Sequence, residues 1–322
     1  MNRRVTNLLL YPYYYGMCPV RQWCNARRRA AANMPVIVLF YHRVADKHLN
    51  AWSISTRRFA RQITWLQRHF TLVSLRDAQA CMASGCNRRP LVSITFDDGY
   101  ADNNAFALPL LLRRRVPFTY FVAVQHIQHG EPFAHDGAAG QPHPVNKVDE
   151  LVELAEKGVE IGLHTRTHAD LGRIDDEEEL YDEVVRAGQD LARLVHRPIR
   201  YFAFPFGLHA NLSVKAFRMA REAGYWGVCS AYGGYNFPGD DPFHIQRFHA
   251  DSEWIRWKNC LAIDPRKTRR APRHAYQVAD AGMGGMGEGE LSTEPVGSAR
   301  SDLAKVTSGG GQTTKWGVDE GE

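Results

Sequence analysis

LVSITFDDGY, residues 91–100, is the stretch on which the fold turns. It opens as a short, mostly apolar and β-branched run, Leu91 to Phe96, of the length of a buried strand. The run stops at two adjacent carboxylates, Asp97 and Asp98, followed by Gly99. Two charges at the mouth of a buried strand are costly unless something compensates them, and a divalent cation is the usual compensation. Asp-Gly is also a common turn pair, so this stretch alone leaves a solvated turn open.

A second stretch shifts that balance. VEIGLHTRTH, residues 159–168, again runs as a short apolar strand into polar groups, here His164 and His168. Their i, i+4 spacing puts both imidazoles on one face of a helical turn or a curled loop. Two neutral imidazoles and a carboxylate form a ligand set of a catalytic zinc site with one open position.

Two further strands end the same way. PVIVLF, residues 35–40, runs into Tyr41-His42-Arg43-Val44, and residues 200–204 lead into Pro205-Phe206-Gly207. Between the strands lie helical patterns. Residues 55–70 carry Phe59, Ile63, Leu66 and Phe70 at helical spacing behind a Ser55 or Thr56 cap. Helices are also expected over 76–83, 104–115, 149–157, 176–196, 212–223 and 252–263, and strands over 71–75, 118–124, 225–231 and 243–248. Residues 126–145, rich in Gly, Pro and His, read as a surface loop. Alternating strands and helices argue an α/β fold with a parallel sheet. In a parallel barrel every strand C-terminus opens on one face, which would gather these polar ends together. An open doubly wound sheet is the alternative.

TFDDGY and HTRTH together resemble the first two motifs of the polysaccharide deacetylases, the carbohydrate esterase group with the NodB homology domain. The resemblance covers residues 35–251 and implies a distorted, incomplete (β/α) barrel similar to a TIM barrel. It implies that Asp98, His164 and His168 hold one divalent metal ion, with Asp97 as general base; spacing alone does not say which aspartate does which. The Tyr100 backbone N–H is the implied oxyanion donor. Zinc suits two His and one Asp, as do cobalt, nickel and iron. The YHRV segment resembles the branch acting on poly-N-acetylglucosamine, where the motif order is permuted. That implies His42 as general acid, with His249 in QRFHAD as the alternative. The family places an arginine before its Pro-Pro-Tyr-Gly motif, and this chain has Ala203 there. Arg43 or Arg247 is expected to replace it, with a differently tuned base as the alternative. Phe204, Pro205 and Phe206 offer an apolar wall to a sugar ring or acetyl methyl, with core packing as the competing reading.

The implied activity is removal of N-acetyl groups from an N-acetylated sugar in a polymer, an oligomer or a glycolipid. An O-acetyl esterase, a non-sugar amidohydrolase and a non-catalytic glycan-binding barrel are the alternatives. The expected partner is the glycan itself. Arginine clusters at 27–29, 113–115 and 269–270 account for much of the net charge of +5, but no nucleic-acid signature accompanies them. Six scattered cysteines form no CxxC pair and read as free thiols. No apolar run has the length of a membrane span. Residues 1–33 look slightly like a signal peptide, but the apolar run is poor and arginines follow it. They are expected as a loosely ordered extension, residues 34–264 as the catalytic domain, and 265–322 as a disordered tail. Cytoplasmic placement is expected, with the cell envelope as the alternative.

Overall fold

The computed structural model describes residues 3–250, 253–268 and 276. The chain divides into two units, Met1–Val278 and Ala279–Glu322, of which the second lies wholly outside the described residues.

Nine strands of the first unit form one sheet: β1 (Val36–Tyr41), β2 (Thr71–Leu72), β3 (Leu91–Phe96), β4 (Phe118–Val122), β5 (Glu160–Leu163), β6 (Tyr201–Ala203), β7 (Gly227–Cys229), β8 (His244–Ile245) and β9 (Arg247–His249). The spatial order is β8-β7-β6-β5-β4-β3-β1-β9, with β2 beside the start of β3, and every pairing is parallel. This is a distorted (β/α) barrel, nearly closed.

The strands at the two ends of this order, β8 and β9, are neighbours in sequence. The chain was expected to run as one strand over 243–248. Instead it leaves β7 at Gln246 and joins β1. The Gln246 peptide, which no strand pairs, is held by a side chain: Asn236 Oδ1 accepts its N–H at 2.8 Å and Asn236 Nδ2 donates to its carbonyl at 2.9 Å. A buried peptide group left unpaired is costly, so Asn236 stands in for the missing strand at the seam.

Side chains alternate along each strand. Val36, Val38, Phe121, Tyr201, Ala203, Cys229 and Ile245 fill the interior. Ile37, Leu39, Tyr41, Val92, Ile94 and Phe96 belong to the larger core shared with the helices. On β3 this parity puts Ser93, Thr95 and then Asp97 on the interior face. The β1–β3 register runs from Val36 opposite Leu91 to Tyr41 opposite Phe96. The next residues on each strand, His42 and Asp97, therefore emerge side by side.

The helix Thr56–His69 forms where expected, with Ser55 accepting the Arg58 N–H and Phe59, Ile63 and Leu66 buried. Several other elements differ from expectation. Residues 104–115 form two helices, Asp102–Ala105 and Ala107–Arg113; Pro109 has no N–H and its ring opposes the carbonyl of Ala105, which favours the break at Phe106. Residues 126–145 are not a plain loop but carry the helices Val124–His129 and Ala134–Ala138. Residues 177–195 are helical but interrupted by a π-helical turn, Asp182–Arg186.

The chain termini need the larger corrections. Residues 3–30 are not loosely ordered: they form α1 (Arg3–Gly16) and α2 (Cys18–Ala30). Their inner sides are tied to the body by Arg21 on Asn259 Oδ1 at 2.5 Å and Tyr13 on Asp264 Oδ1 at 2.8 Å. Packing also continues past 264. Pro265–Thr268 is helical, and Tyr276 stacks on Phe217 at 4.4 Å. The rest of the expected tail lies outside the described residues. All six cysteines are free thiols, and no described helix is long and apolar enough to cross a membrane.

Candidate metal centre and its rim

β3 delivers the carboxylates in different directions because the backbone turns sharply after Asp97. Asp98 has φ +73° and Gly99 φ +78°. For aspartate the left-handed region is uncommon and mildly strained. At Gly99 a Cβ would meet Val122 Cγ1 at 3.0 Å, so the turn both needs and uses glycine. Asp97 stays on the interior face while Asp98 swings towards β5.

The last β5 position hands over to His164, whose N–H still bonds the Val122 carbonyl at 2.8 Å. Its side-chain Nδ1 lies 2.8 Å from the Ala203 carbonyl. A carbonyl only accepts, so Nδ1 carries the proton and Nε2 is left facing Asp98 Oδ1 at 3.4 Å. His168 Nε2 lies 3.3 Å from the same oxygen. One ligand atom from each of Asp98, His164 and His168 falls within 4.8 Å of the others. Asp98 Oδ1 is buried and has no hydrogen-bond donor. An orphaned buried carboxylate oxygen facing the Nε2 atoms of two imidazoles fits a cation between them. The distances suit ligands gathered around one ion at ~2.0–2.2 Å from each, and the Ala203 carbonyl holds His164 in the tautomer such an ion would need. Burial alone would push Asp98 up, but His164 and His168 hold it well below the usual carboxylate range. Burial opposes charge on both imidazoles; the aspartates still lift His164, whereas burial prevails at His168.

His164 and His168 sit on a curled loop rather than a helix. Thr165 and His168 both have φ +64°, and the His168 N–H bonds Thr165 Oγ1 at 3.0 Å. Glu183, from the π-helical turn, clamps this loop from behind. Its Oε2 accepts the N–H groups of Arg166 and Thr167 at 2.9 and 3.0 Å, and its Oε1 accepts the Thr167 hydroxyl at 2.6 Å. Sequence reading missed Glu183, which lies within an acidic helix start and carries no local signal of its own.

Asp97 is held from the seam. Arg247 donates to both its oxygens, at 2.7 and 2.9 Å. The guanidinium is fully buried, bonds the Ser230 carbonyl and Thr95 Oγ1, and lies between the Phe40 and Phe121 rings. Burial disfavours its charge, but Asp97 raises its pKa above the ordinary value. Of the two arginines offered for Ala203, Arg247 is the one that bonds Asp97. Arg43 does not: its donors hold Asp102, Ser53 and the carbonyls of Lys47 and His48. It anchors the loop after β1.

Both acid candidates stand on this side. His42 and His249 have ring centroids 5.8 Å apart, and Trp52 lies 4.7 Å from His42 and 5.6 Å from His249. His42 is positioned by Asn103, whose Nδ2 donates to the His42 carbonyl at 2.7 Å while its Oδ1 accepts the Val44 N–H. The His42 Nδ1 is buried without a partner. Burial pushes its pKa below the ordinary value, against Asp98 and Asp97.

The remaining predicted residues separate into rim and core. Phe206, with φ +59°, is 55% exposed, and its ring centroid lies 5.2 Å from that of His168. Pro205 is buried beneath it, and Phe204 is core, against Phe202 and Phe217. The Tyr100 side chain is buried, its hydroxyl donating to Asp136 at 2.7 Å; it secures the segment over the β4 end. Of the histidines between 126 and 143, none joins the Asp98 cluster among the described residues.

The fold and site define a class: a parallel α/β barrel carrying a candidate Asp–His–His cation site beside an arginine-held carboxylate on its C-terminal rim. Residues 84–228 match the family model for polysaccharide deacetylase. The chain is similar to the curated Bacillus subtilis (strain 168) protein YxkH, named for that family, at 23% identity over 60% of this chain and 63% of YxkH. It is 30% identical to the chitooligosaccharide deacetylase of Bradyrhizobium sp. (strain ANU 289) over 36% of this chain and 46% of that one. Both matches span less than two thirds of those relatives. Among solved structures, IcaB from Ammonifex degensii shares the fold, with TM-score 0.60 and 24% identity over 71% of this chain and 97% of that one.

Proposed function

We propose that this chain is a metal-dependent hydrolase that removes N-acetyl groups from an N-acetylated sugar in a polysaccharide, oligosaccharide or glycolipid. The observation that carries the proposal is the juxtaposition at one rim. Asp98, His164 and His168 converge on a cation-sized gap, and Asp97 stands next in sequence, held by a different residue for a different task. A binding module would need neither the second carboxylate nor its buried guanidinium.

Asp98, His164 and His168 would hold the metal, with zinc the ion that best suits their chemistry. When bound, such an ion polarises an amide carbonyl and lowers the pKa of water from ~15.7 to about 7. Asp97 takes the proton of the attacking water. Arg247 engages both Asp97 oxygens, which fixes the plane of the carboxylate and leaves each oxygen a lone pair. The Tyr100 backbone N–H would donate to the developing oxyanion. The departing amine needs a proton, because an amide anion is too poor a leaving group. His42, with a buried unpartnered Nδ1 beside the Asp97 strand end, donates it. His249 is the neighbour that shares its pocket. Phe206 on the metal side and Trp52 on the acid side flank a sugar ring. The family of segment 84–228 and the named activity of the Bradyrhizobium relative support an N-acetylglucosamine substrate.

The test is acetate release by metal-loaded protein from N-acetylglucosamine oligomers and from acetylated xylan, before and after a chelator. Release from the oligomers, lost with the metal and restored by zinc, is expected. Release from xylan alone makes the protein an O-acetyl esterase. No release from either, at full metal occupancy, ends the hydrolase reading.

A further inference from the structure

The N-terminal helices carry a surface that the rim chemistry does not use. We propose that α1 and α2 form an interfacial docking surface for an anionic lipid membrane. The inner sides of both helices are accounted for, since Tyr13, Tyr14 and Arg21 pack towards residues 254–264. Their outer sides expose large apolar side chains. Leu8 is 71% exposed, Tyr15 56% and Trp23 60%, and with Leu9, Tyr11 and Val20 they gather six large exposed apolar side chains on two consecutive helices.

The exposed residues fall into helical stripes. In α1, Leu8, Tyr11 and Tyr15 recur at i, i+3 and i+7, with Leu9 beside them. In α2, Val20, Trp23 and Arg27 recur at i, i+3 and i+7, and the Arg27 guanidinium lies 4.7 Å over the Trp23 ring. Leucine, tyrosine and tryptophan with arginines alongside is the composition of a helix that lies in a headgroup layer.

Charge selects the occupant. Residues 1–33 contain six arginines, at 3, 4, 21, 27, 28 and 29, and the first acidic residue of the chain is Asp46. Arg27 and Arg29 are exposed. A second copy of this chain would set the same unbalanced positive charge against itself. An anionic bilayer offers both the negative surface for the arginines and the apolar layer for Trp23, Leu8 and Tyr15. A polyanion in water offers only the first. Docking in this way needs no spanning helix.

Flotation of the full chain with vesicles tests the surface. Vesicles of phosphatidylcholine and phosphatidylglycerol at about 3:1 should carry the protein, vesicles of phosphatidylcholine alone should not, and raised salt should weaken binding. Two variants dissect it. Leu8→Ser with Trp23→Ser removes apolar insertion, and Arg27→Glu with Arg29→Glu reverses charge. Each is expected to cut the bound fraction by about tenfold or more. These side chains are exposed, so circular dichroism and acetate release from a soluble oligomer should be unchanged. Absence of the protein from the anionic vesicles overturns the proposal. So does heparin binding that matches vesicle binding and survives Leu8→Ser with Trp23→Ser, which would make the surface a polyanion site. A dimer in light scattering that the same pair of substitutions dissolves, with no flotation, would assign the stripe to self-association instead. None of these outcomes bears on the hydrolase reading, which the soluble assay addresses separately.

Discussion

The rim has two halves, and they are built differently. The metal half comes from β3, β5 and the Ala203 end of β6, all inside the matched segment 84–228. Its residues occur in two compact motifs whose own loops, through left-handed turns at Asp98, Thr165 and His168, aim the ligands. The seam half joins Asp97, at the end of β3, to residues of β1 and β9, two strands outside that segment. There the arginine that orients Asp97 arrives from 150 residues away in sequence, and both acid candidates share one aromatic pocket with Trp52. A cation demands fixed ligands at fixed distance, so the metal half tolerates little variation. Orienting a carboxylate needs only a guanidinium that reaches it, which any strand bordering the interior can supply. Here the barrel seam supplies it.

If the halves do separate jobs, substitutions should separate them too. The largest effect is expected on the metal half. Asp98→Asn keeps the shape and removes the charge; bound metal by elemental analysis and acetate release should both fall to background, with the protein still folded. A variant that keeps stoichiometric metal and kcat within about tenfold of the parent would mean the cation is held elsewhere.

On the seam half the metal should stay and the rate should go. Asp97→Asn is expected to retain metal while kcat drops by ~10²–10⁴, the usual contribution of a positioned base. His42→Ala should lose rate on the same scale and His249→Ala far less. A large loss only in His249→Ala would move the acid from β1 to β9, without disturbing any assignment on the metal half.

Arg247 joins function to stability. Arg247→Met leaves Asp97 buried without its partner, and breaking such a pair costs about 3–5 kcal/mol, measurable as a shift in urea midpoint at constant slope. The double variant Asp97→Leu with Arg247→Met removes both charges. It should recover most of the stability and none of the activity. If Arg247→Met alone unfolds no more easily than the parent, the pair is not the buried, mutually dependent unit its geometry describes.

How far the sequence reveals this molecule follows the same division. The strand ends at Asp97–Asp98, His164 and Pro205 are legible because apolar runs of strand length stop at polar groups, and parallel topology gathers those stops on one face. The helix Thr56–His69 is legible because its apolar spacing and its cap agree. Arg247 could only be offered beside Arg43, because nothing local distinguishes an arginine that reaches into the barrel from one that pins a loop through Asp102 and Ser53. The strand over 243–248 reads as continuous because its break depends on Asn236 bonding the Gln246 peptide. Residues 3–30 read as loose because Pro12 interrupts the apolar patch and an arginine run follows it, while the bonds that fix them run from Tyr13 and Arg21 to Asp264 and Asn259. In each case the missing information is a contact between distant residues.

Glu183 is the most informative of these hidden contacts, and it offers the smallest and sharpest prediction. It touches neither metal ligand, yet three of its hydrogen bonds fall on Arg166 and Thr167, between the two histidines. Glu183→Ala leaves the Arg166 and Thr167 N–H groups without their acceptor, so the loop must shift or hydrate. Metal affinity by calorimetry should fall about 10–100-fold, the usual scale for an outer-shell partner, while kcat of the fully loaded protein stays near the parent value. Glu183→Gln distinguishes geometry from charge. Its amide oxygen can accept both N–H groups, and its amide nitrogen can donate to the Thr167 hydroxyl, which turns to accept. Nearly every bond survives and only the negative charge is lost. If the clamp works by shape, Gln should bind metal almost as the parent does. If Gln falls as far as Ala, the carboxylate charge behind the loop strengthens the histidines as ligands, and the metal half is tuned by long-range electrostatics as well as by its turns.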